Sequence, residues 1–123
     1  MGRSLAMLLS VFTLSLCGSV PASAQEHRAE RSLDIKIVKR KVDEALSTIR
    51  AKQGEEIRLR WRTDETATVH LHGYDIEKTL KPGEAVEMTF KAHATGRFPI
   101  EAHGFGGKKG KHVTLLYLEV LPR

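Results

Sequence analysis

The sequence predicts an all-β chain: one antiparallel sandwich or barrel of about seven short strands. Three observations carry that expectation. Apolar and polar residues alternate over several short runs, most cleanly in Glu56-Ile57-Arg58-Leu59-Arg60-Trp61-Arg62, and period-two alternation marks strands with one buried face. Turn signals recur between the runs at near-even spacing: Gln53-Gly54-Glu55, Lys81-Pro82-Gly83-Glu84 and Ala94-Thr95-Gly96. No long amphipathic helical repeat interrupts them.

Residues 1–24 read as a secretory signal peptide. Arg3 gives a positive start, Leu5 to Val20 is mostly apolar, and Ala22-Ser23-Ala24 supplies the small residues of a cleavage site. Residues 25–32 are polar and charged and read as a flexible arm, and residues 33–123 form the domain. Within it, Leu33 to Val38 alternates as a strand. Val42 to Leu46 suits a short helical turn, and Thr48 to Ala51 looks extended. Ile57, Leu59 and Trp61 are expected to face inward and Arg58, Arg60 and Arg62 outward. Thr63-Asp64-Glu65 breaks that strand, and Thr66 to His72, rich in Thr and Val, is the next. Pro82 and Gly83 occupy the positions a type II turn requires. Val86 to Phe90 and Arg97 to Glu101 are further strands. Gly104 to Lys111 holds four glycines in eight residues and must be a loop. Val113 to Val120, with Leu115, Leu116 and Leu118, is fuller in apolar residues and suits a central strand.

The ends and composition exclude several classes of function. The only cysteine, Cys17, lies in the leader, so the exported chain has no disulfide, no thiolate ligand and no cysteine nucleophile. Basic side chains exceed acidic ones by five in the full chain. They are interleaved with acids, however, and read as solvated strand faces, which together with export argues against a nucleic-acid partner. Lys108-Lys109-Gly110-Lys111 is the one basic cluster, a loop able to steer an acidic partner. Ser32 and Ser47 have no Gly-x-Ser-x-Gly setting, and no paired carboxylates stand out, so the sequence gives no basis for an enzyme. Gly104-Phe105-Gly106-Gly107 lacks the spacing of a dinucleotide loop. The exported chain contains no transmembrane segment and is expected in the periplasm or outside the cell.

The histidines carry the functional signal. His70-Leu71-His72 places two imidazoles on one side of a strand, because strand side chains alternate faces. His103 ends the run Phe98-Pro99-Ile100-Glu101-Ala102, and His112 stands at the far end of the loop that His103 opens. Imidazole is the commonest metal ligand near neutral pH. An all-histidine set from His70, His72, His103 and His112 would hold Cu(II) in a tetragonal site or, second choice, Zn(II) in a tetrahedral one. Glu101 and Asp75 are available as oxygen donors or as acceptors that fix an imidazole tautomer. A register shift of one residue would turn both His70 and His72 to the other face, so spacing alone leaves their direction open.

From Gly54 to Pro122 the chain resembles the cupredoxin superfamily, in its small exported branch. The resemblance rests on the order of Gln53 to Leu59, Thr68 to Asp75, the Lys81-Pro82-Gly83-Glu84 turn, Phe90 to Ala92 followed by Thr95 to Glu101, and Leu118 to Pro122. It implies a Greek-key sandwich with any metal at one end of the barrel. It also exposes a departure. A blue copper site needs a cysteine thiolate beside two imidazoles. The position matching that cysteine is Ala102, and the Gly104–Lys111 loop has no axial methionine. Two functions follow. One is a non-blue, histidine-only copper protein that carries, buffers or delivers the ion, with another periplasmic or membrane copper-handling protein as partner. The alternative is a metal-free cupredoxin-like interaction module.

Overall fold

The computed structural model describes residues 30–123, together with Gly2. The leader assigned to residues 1–24, and the arm as far as residue 29, lie outside the described residues. Eight strands follow in chain order: β1 (Glu30–Ile37), β2 (Thr48–Lys52), β3 (Glu56–Thr63), β4 (Ala67–Leu71), β5 (Ile76–Leu80), β6 (Val86–Lys91), β7 (Gly96–His103) and β8 (Val113–Leu121). They form two sheets, β1-β3-β6 and β2-β8-β7-β4-β5, and the chain crosses repeatedly between them.

Alternation decides which side of each strand is buried. Ile57, Leu59 and Trp61 on β3 are fully buried, as the sequence predicts. Opposite them, Val69 and Leu71 of β4, Ile100 and Ala102 of β7, and Leu116 and Leu118 of β8 turn inward from the larger sheet. The core is the seam between these two inner faces. At the Pro-Gly turn, the Glu84 amide donates to the Lys81 carbonyl at 3.2 Å and Gly83 has φ +82, the type II geometry. A 3-10 turn at Glu44–Leu46, capped by the Asp43 carboxylate on the Ala45 amide, fills the short helical stretch before β2.

Three expectations need correction. The sandwich is not wholly antiparallel: β1 runs parallel to β3, and β2 parallel to β8. Each parallel pair joins strands that are not consecutive in sequence, as a crossover connection requires. β1 includes Glu30 to Ser32, which the sequence placed in the arm, because they extend the β1–β3 ladder, with Glu30 reaching Arg58 at 2.6 Å. β5 has no counterpart among the strands that the alternation predicts. That strand buries only Leu80 on the sheet edge, so its apolar pattern is too sparse to signal a strand.

One irregularity matters for function. In the β7–β8 ladder Ile100 pairs with Leu116, but Glu101 pairs with Thr114, leaving Leu115 as an extra residue. This β-bulge turns Leu115 and Leu116 both toward the core. It also inverts the parity of everything before it in β8, so that Thr114 and His112 face outward and not in.

Candidate metal centre

The four histidines lie on the outer face of the larger sheet. Val69 and Leu71 point to the core, so His70 and His72, their chain neighbours, point away from it. Ile100 and Ala102 do the same for Glu101 and His103. Register completes the patch: His70 stands opposite both Glu101 of β7 and Glu77 of β5, and His103 stands opposite Thr68. The bulge at Leu115 delivers His112 to the same side. There its ring stacks on His103, centroids 5.0 Å apart at 25°. His70 and His72 meet at 4.2 Å with a 46° tilt.

Two carboxylates organise the imidazoles. Glu101 Oε2 is 2.8 Å from His72 Nε2 and 3.5 Å from His112 Nδ1, while its Oε1 accepts from the Thr114 hydroxyl at 3.3 Å. Glu77 Oε1 lies more loosely between His103 Nε2 at 3.9 Å and His70 Nδ1 at 4.0 Å. Partial burial acts to raise the Glu101 pKa, but the hydrogen bond and charge of His72, with help from Thr114 and His112, hold it below the ordinary carboxylate value. His70 Nε2 is shielded from solvent without a hydrogen-bond partner, with Asp75 Oδ1 3.6 Å away.

The segment after β4 is fixed by its own turn. Gly73 has φ +80, and a Cβ there would overlap the Phe98 ring. Asp75 also adopts a left-handed conformation, at φ +54. Tyr74 packs edge-on against Phe98 and donates to the Ala94 carbonyl at 2.9 Å, and the Ala94 amide returns a bond to its hydroxyl at 3.2 Å. The His72 amide donates to the Pro99 carbonyl at 3.1 Å. Backbone and aromatic contacts thus hold the His72 end of the patch in place.

Chemically, the patch offers imidazole nitrogens and carboxylate oxygens and no thiol. Its tighter half is His72, Glu101 and His112. A metal–ligand bond of about 2.0–2.2 Å puts tetrahedral donors about 3.3–3.5 Å apart. The 2.8 Å contact of His72 with Glu101 is a hydrogen bond that an ion would have to replace, and the 3.5 Å separation from His112 is near that spacing; imidazole and carboxylate are donor types that copper and zinc both accept. The looser half, His70, Glu77 and His103, is too wide for a shared ion as it stands. Among the described residues no three His, Cys, Asp or Glu side chains already form a metal-holding group. His93, on the turn after β6, and the patch are separate, since its ring meets Tyr74. Glu77 was not a sequence candidate. Finding it required the β4–β5 hairpin, for which Gly73 is the only strong signal.

The architecture defines the class: this is a cupredoxin-like β-sandwich. Auracyanin A, a blue copper protein from Chloroflexus aurantiacus, aligns with 76% of this chain and 100% of its own at 14% identity, with a TM-score of 0.57. A copper binding protein solved in its apo form matches 79% of this chain and 93% of its own at 12% identity and TM-score 0.58. A chain of a heme-copper terminal oxidase matches 80% of this chain and 68% of its own at 16% identity and TM-score 0.59. No family model and no curated protein matches the sequence. The likeness is one of backbone arrangement. Within that arrangement Ala102 faces the core at zero exposure and His103 faces solvent, so the two neighbours cannot exchange roles.

Proposed function

We propose that the protein binds copper through the outer-face patch of His70, His72, His103 and His112, and carries, buffers or delivers the ion outside the cytoplasm. The observation that carries this reading is the gathering of four imidazoles around Glu101 and Glu77 by strand register and one bulge. The unpartnered, shielded His70 Nε2 adds to it, since a buried polar atom without a partner is costly unless something else satisfies it. Nitrogen and oxygen donors without a thiol suit a tetragonal, non-blue Cu(II). The ligand side chains keep between 20% and 59% of their surface exposed, which favours exchange with a partner over a sealed cofactor. The signal-like leader supports export, and among the described residues no helix is long and apolar enough to cross a membrane.

Copper titration with EPR tests the reading. One Cu(II) per chain with a non-blue signal is expected, and retention against a mild chelator should fall on replacing His72 and His103 by Ala. Unchanged retention in that double variant would overturn it.

One observation favours the second reading, a metal-free module. His72 and Glu101 already satisfy each other at 2.8 Å, and the His103 and His112 rings stack on one another. Thermal melting decides between the two readings. A ligand that binds only the native state raises apparent stability, by about 2.7 kcal/mol at a hundredfold excess over its dissociation constant. Identical melting with and without Cu(II) or Zn(II) selects the module.

A further inference from the structure

The basic residues at the mouth of the β7–β8 loop form a second surface, independent of the histidines. Val38 and Lys41 exchange backbone hydrogen bonds at 2.8 and 3.0 Å around Lys39 and Arg40. Both of these residues have left-handed backbones, φ +50 and +64, a conformation side chains other than glycine, asparagine and aspartate seldom adopt. The turn is pinned at its base. The Lys39 amide donates to Asp64 Oδ2 at 2.8 Å, and the Arg40 guanidinium grips Glu65 with two 3.0 Å bonds while lying over the Phe105 ring. Two consecutive residues held in this region, with side chains left in solvent, are the kind of outlier that marks a functional surface.

What the turn faces is a cleft. One cavity of about 570 Å³ runs between Lys39–Val42 and Val113–Leu115, and a second of about 260 Å³ continues past Arg40 and Val113 to Lys108 and Lys111. Lys39, Lys41, Lys108 and Lys111 rim them, and Glu44 is the single acidic lining residue. Among the described residues none of these four lysines has a carboxylate within salt-bridge distance. The floor is apolar: Val42, Val113, Leu115 and Phe105.

The cleft wall also offers an open strand edge. The β2–β8 ladder begins only at Thr48 opposite Tyr117, with the Tyr117 amide donating to the Ser47 carbonyl. Val113, Thr114 and Leu116 pair with β7 on one side, and among the described residues no backbone partner covers the other side of Val113 to Leu116. Unpaired strand edges are the template on which extended peptides add as a further strand.

We propose that this cleft binds an extended acidic peptide segment of a partner protein. The segment would lie along the free edge of Val113–Leu115, its carboxylates meeting the four lysines and its alternate apolar side chains meeting Val42 and Phe105. A lone small anion would use the lysines but leave the strand edge and the apolar floor without a role. Thr114 lines the cleft and also bonds Glu101, so the docked segment lies beside the histidine patch. The proposal stands whether or not that patch holds metal.

The test is an NMR titration of isotope-labelled protein with an end-blocked peptide alternating Glu and Val. Its Lys-Val counterpart and inorganic phosphate serve as comparisons. The amides of Lys39–Val42 and Val113–Leu115 should shift, those on the strand edge should exchange more slowly with solvent, and affinity should fall as salt rises. The Lys-Val peptide should not bind. Lys41→Glu with Lys111→Glu, both on exposed side chains, should weaken binding about tenfold. Shifts confined to another face, binding of the Lys-Val peptide, or full reproduction of the effect by phosphate without slowed exchange would each overturn the proposal. The peptide-swap and salt arms use the unaltered protein, so the outcome does not depend on the variant folding.

Discussion

The inner and outer faces of β4 and β7 are made of alternate residues of the same two strands, and they do different work. Inside, Val69, Leu71, Ile100 and Ala102 are closed off from water completely. Outside, His70, His72, Glu101 and His103 are held by strand register and a few polar contacts and stay partly exposed. The inner face is where the free energy of folding is gained, because it removes apolar surface from water. The outer face contributes little of that and is free to carry chemistry. One backbone therefore positions four ligand-type residues that need no stabilising role of their own.

The largest test of that division compares one residue from each face. Leu71→Ala should destabilise the protein by about 2–5 kcal/mol, the range for emptying a buried leucine site. His72→Ala, its neighbour on the outside, should cost about 1 kcal/mol or less, the worth of one part-exposed hydrogen bond. Chemical denaturation of both variants measures the contrast. Equal costs would mean that the histidines hold the sheet together and that the division is wrong.

Gly73→Ala comes next, because it strains the hinge between the two faces. Its left-handed φ costs a side chain about 1–2 kcal/mol, and the Phe98 ring must also move from the space a Cβ would take. The expected loss is about 2 kcal/mol or somewhat more, since displacing a packed ring adds to the backbone term. Chemical shifts at Tyr74, Phe98 and His72 should move together. A neutral substitution would show that the His72 turn is not built on that glycine.

Ala102→Cys sharpens the comparison further. This change puts a thiol at the position that the sequence resemblance matches to a copper-binding cysteine. The thiol would face the core, whereas the imidazoles on the same strands face solvent. The copper-loaded variant should therefore keep a non-blue EPR signal and gain no intense thiolate-to-copper absorption. The added sulfur should cost about 1 kcal/mol or a little more through overpacking. A blue product would show that the outer-face patch is not where copper sits.

Much of the inner face was legible in the sequence. Ile57, Leu59 and Trp61 alternate with three arginines, and only one assignment of faces buries the apolar set. The outer face was legible in content but not in direction. The spacing of His70 and His72 puts them together, yet a strand segment carries no mark of which side meets the core until its partners are known. His112 is the hardest case. Counting back by twos from buried Leu118 and Leu116 would turn it inward, and only the extra residue at Leu115 brings it out to His103. Such a bulge is a property of two strands paired, and nothing in Val113 to Leu121 alone announces it. The parallel pairings were hidden for the same reason, because they join segments distant in the chain. The basic cleft was half visible: Lys108 to Lys111 read as a loop cluster, while Lys39 to Lys41 reach it only through the fold.

The smallest effect concerns the pair that bridges the outer surface and the cleft. The hydrogen bond from Arg40, aided by its charge, holds the Glu65 carboxyl below its ordinary pKa against the opposing effects of desolvation and the Asp64 charge, and Glu65 in turn raises that of Arg40. The sign follows from linkage. A carboxylate with a lowered folded-state pKa stabilises the protein above its unfolded value of 4.5. It loses that contribution as pH falls through the folded value. Glu65→Gln should therefore lower stability slightly near neutral pH, because the pair is exposed, make no difference below the folded-state pKa, and so flatten the acid limb by that same small amount. Salt should shrink the difference between the two proteins. The same substitution frees the Arg40 guanidinium for other carboxylates, so the acidic peptide should bind the variant more tightly. A flattened acid limb without tighter binding would confine Arg40 to holding the turn, with the lysines alone contacting the peptide.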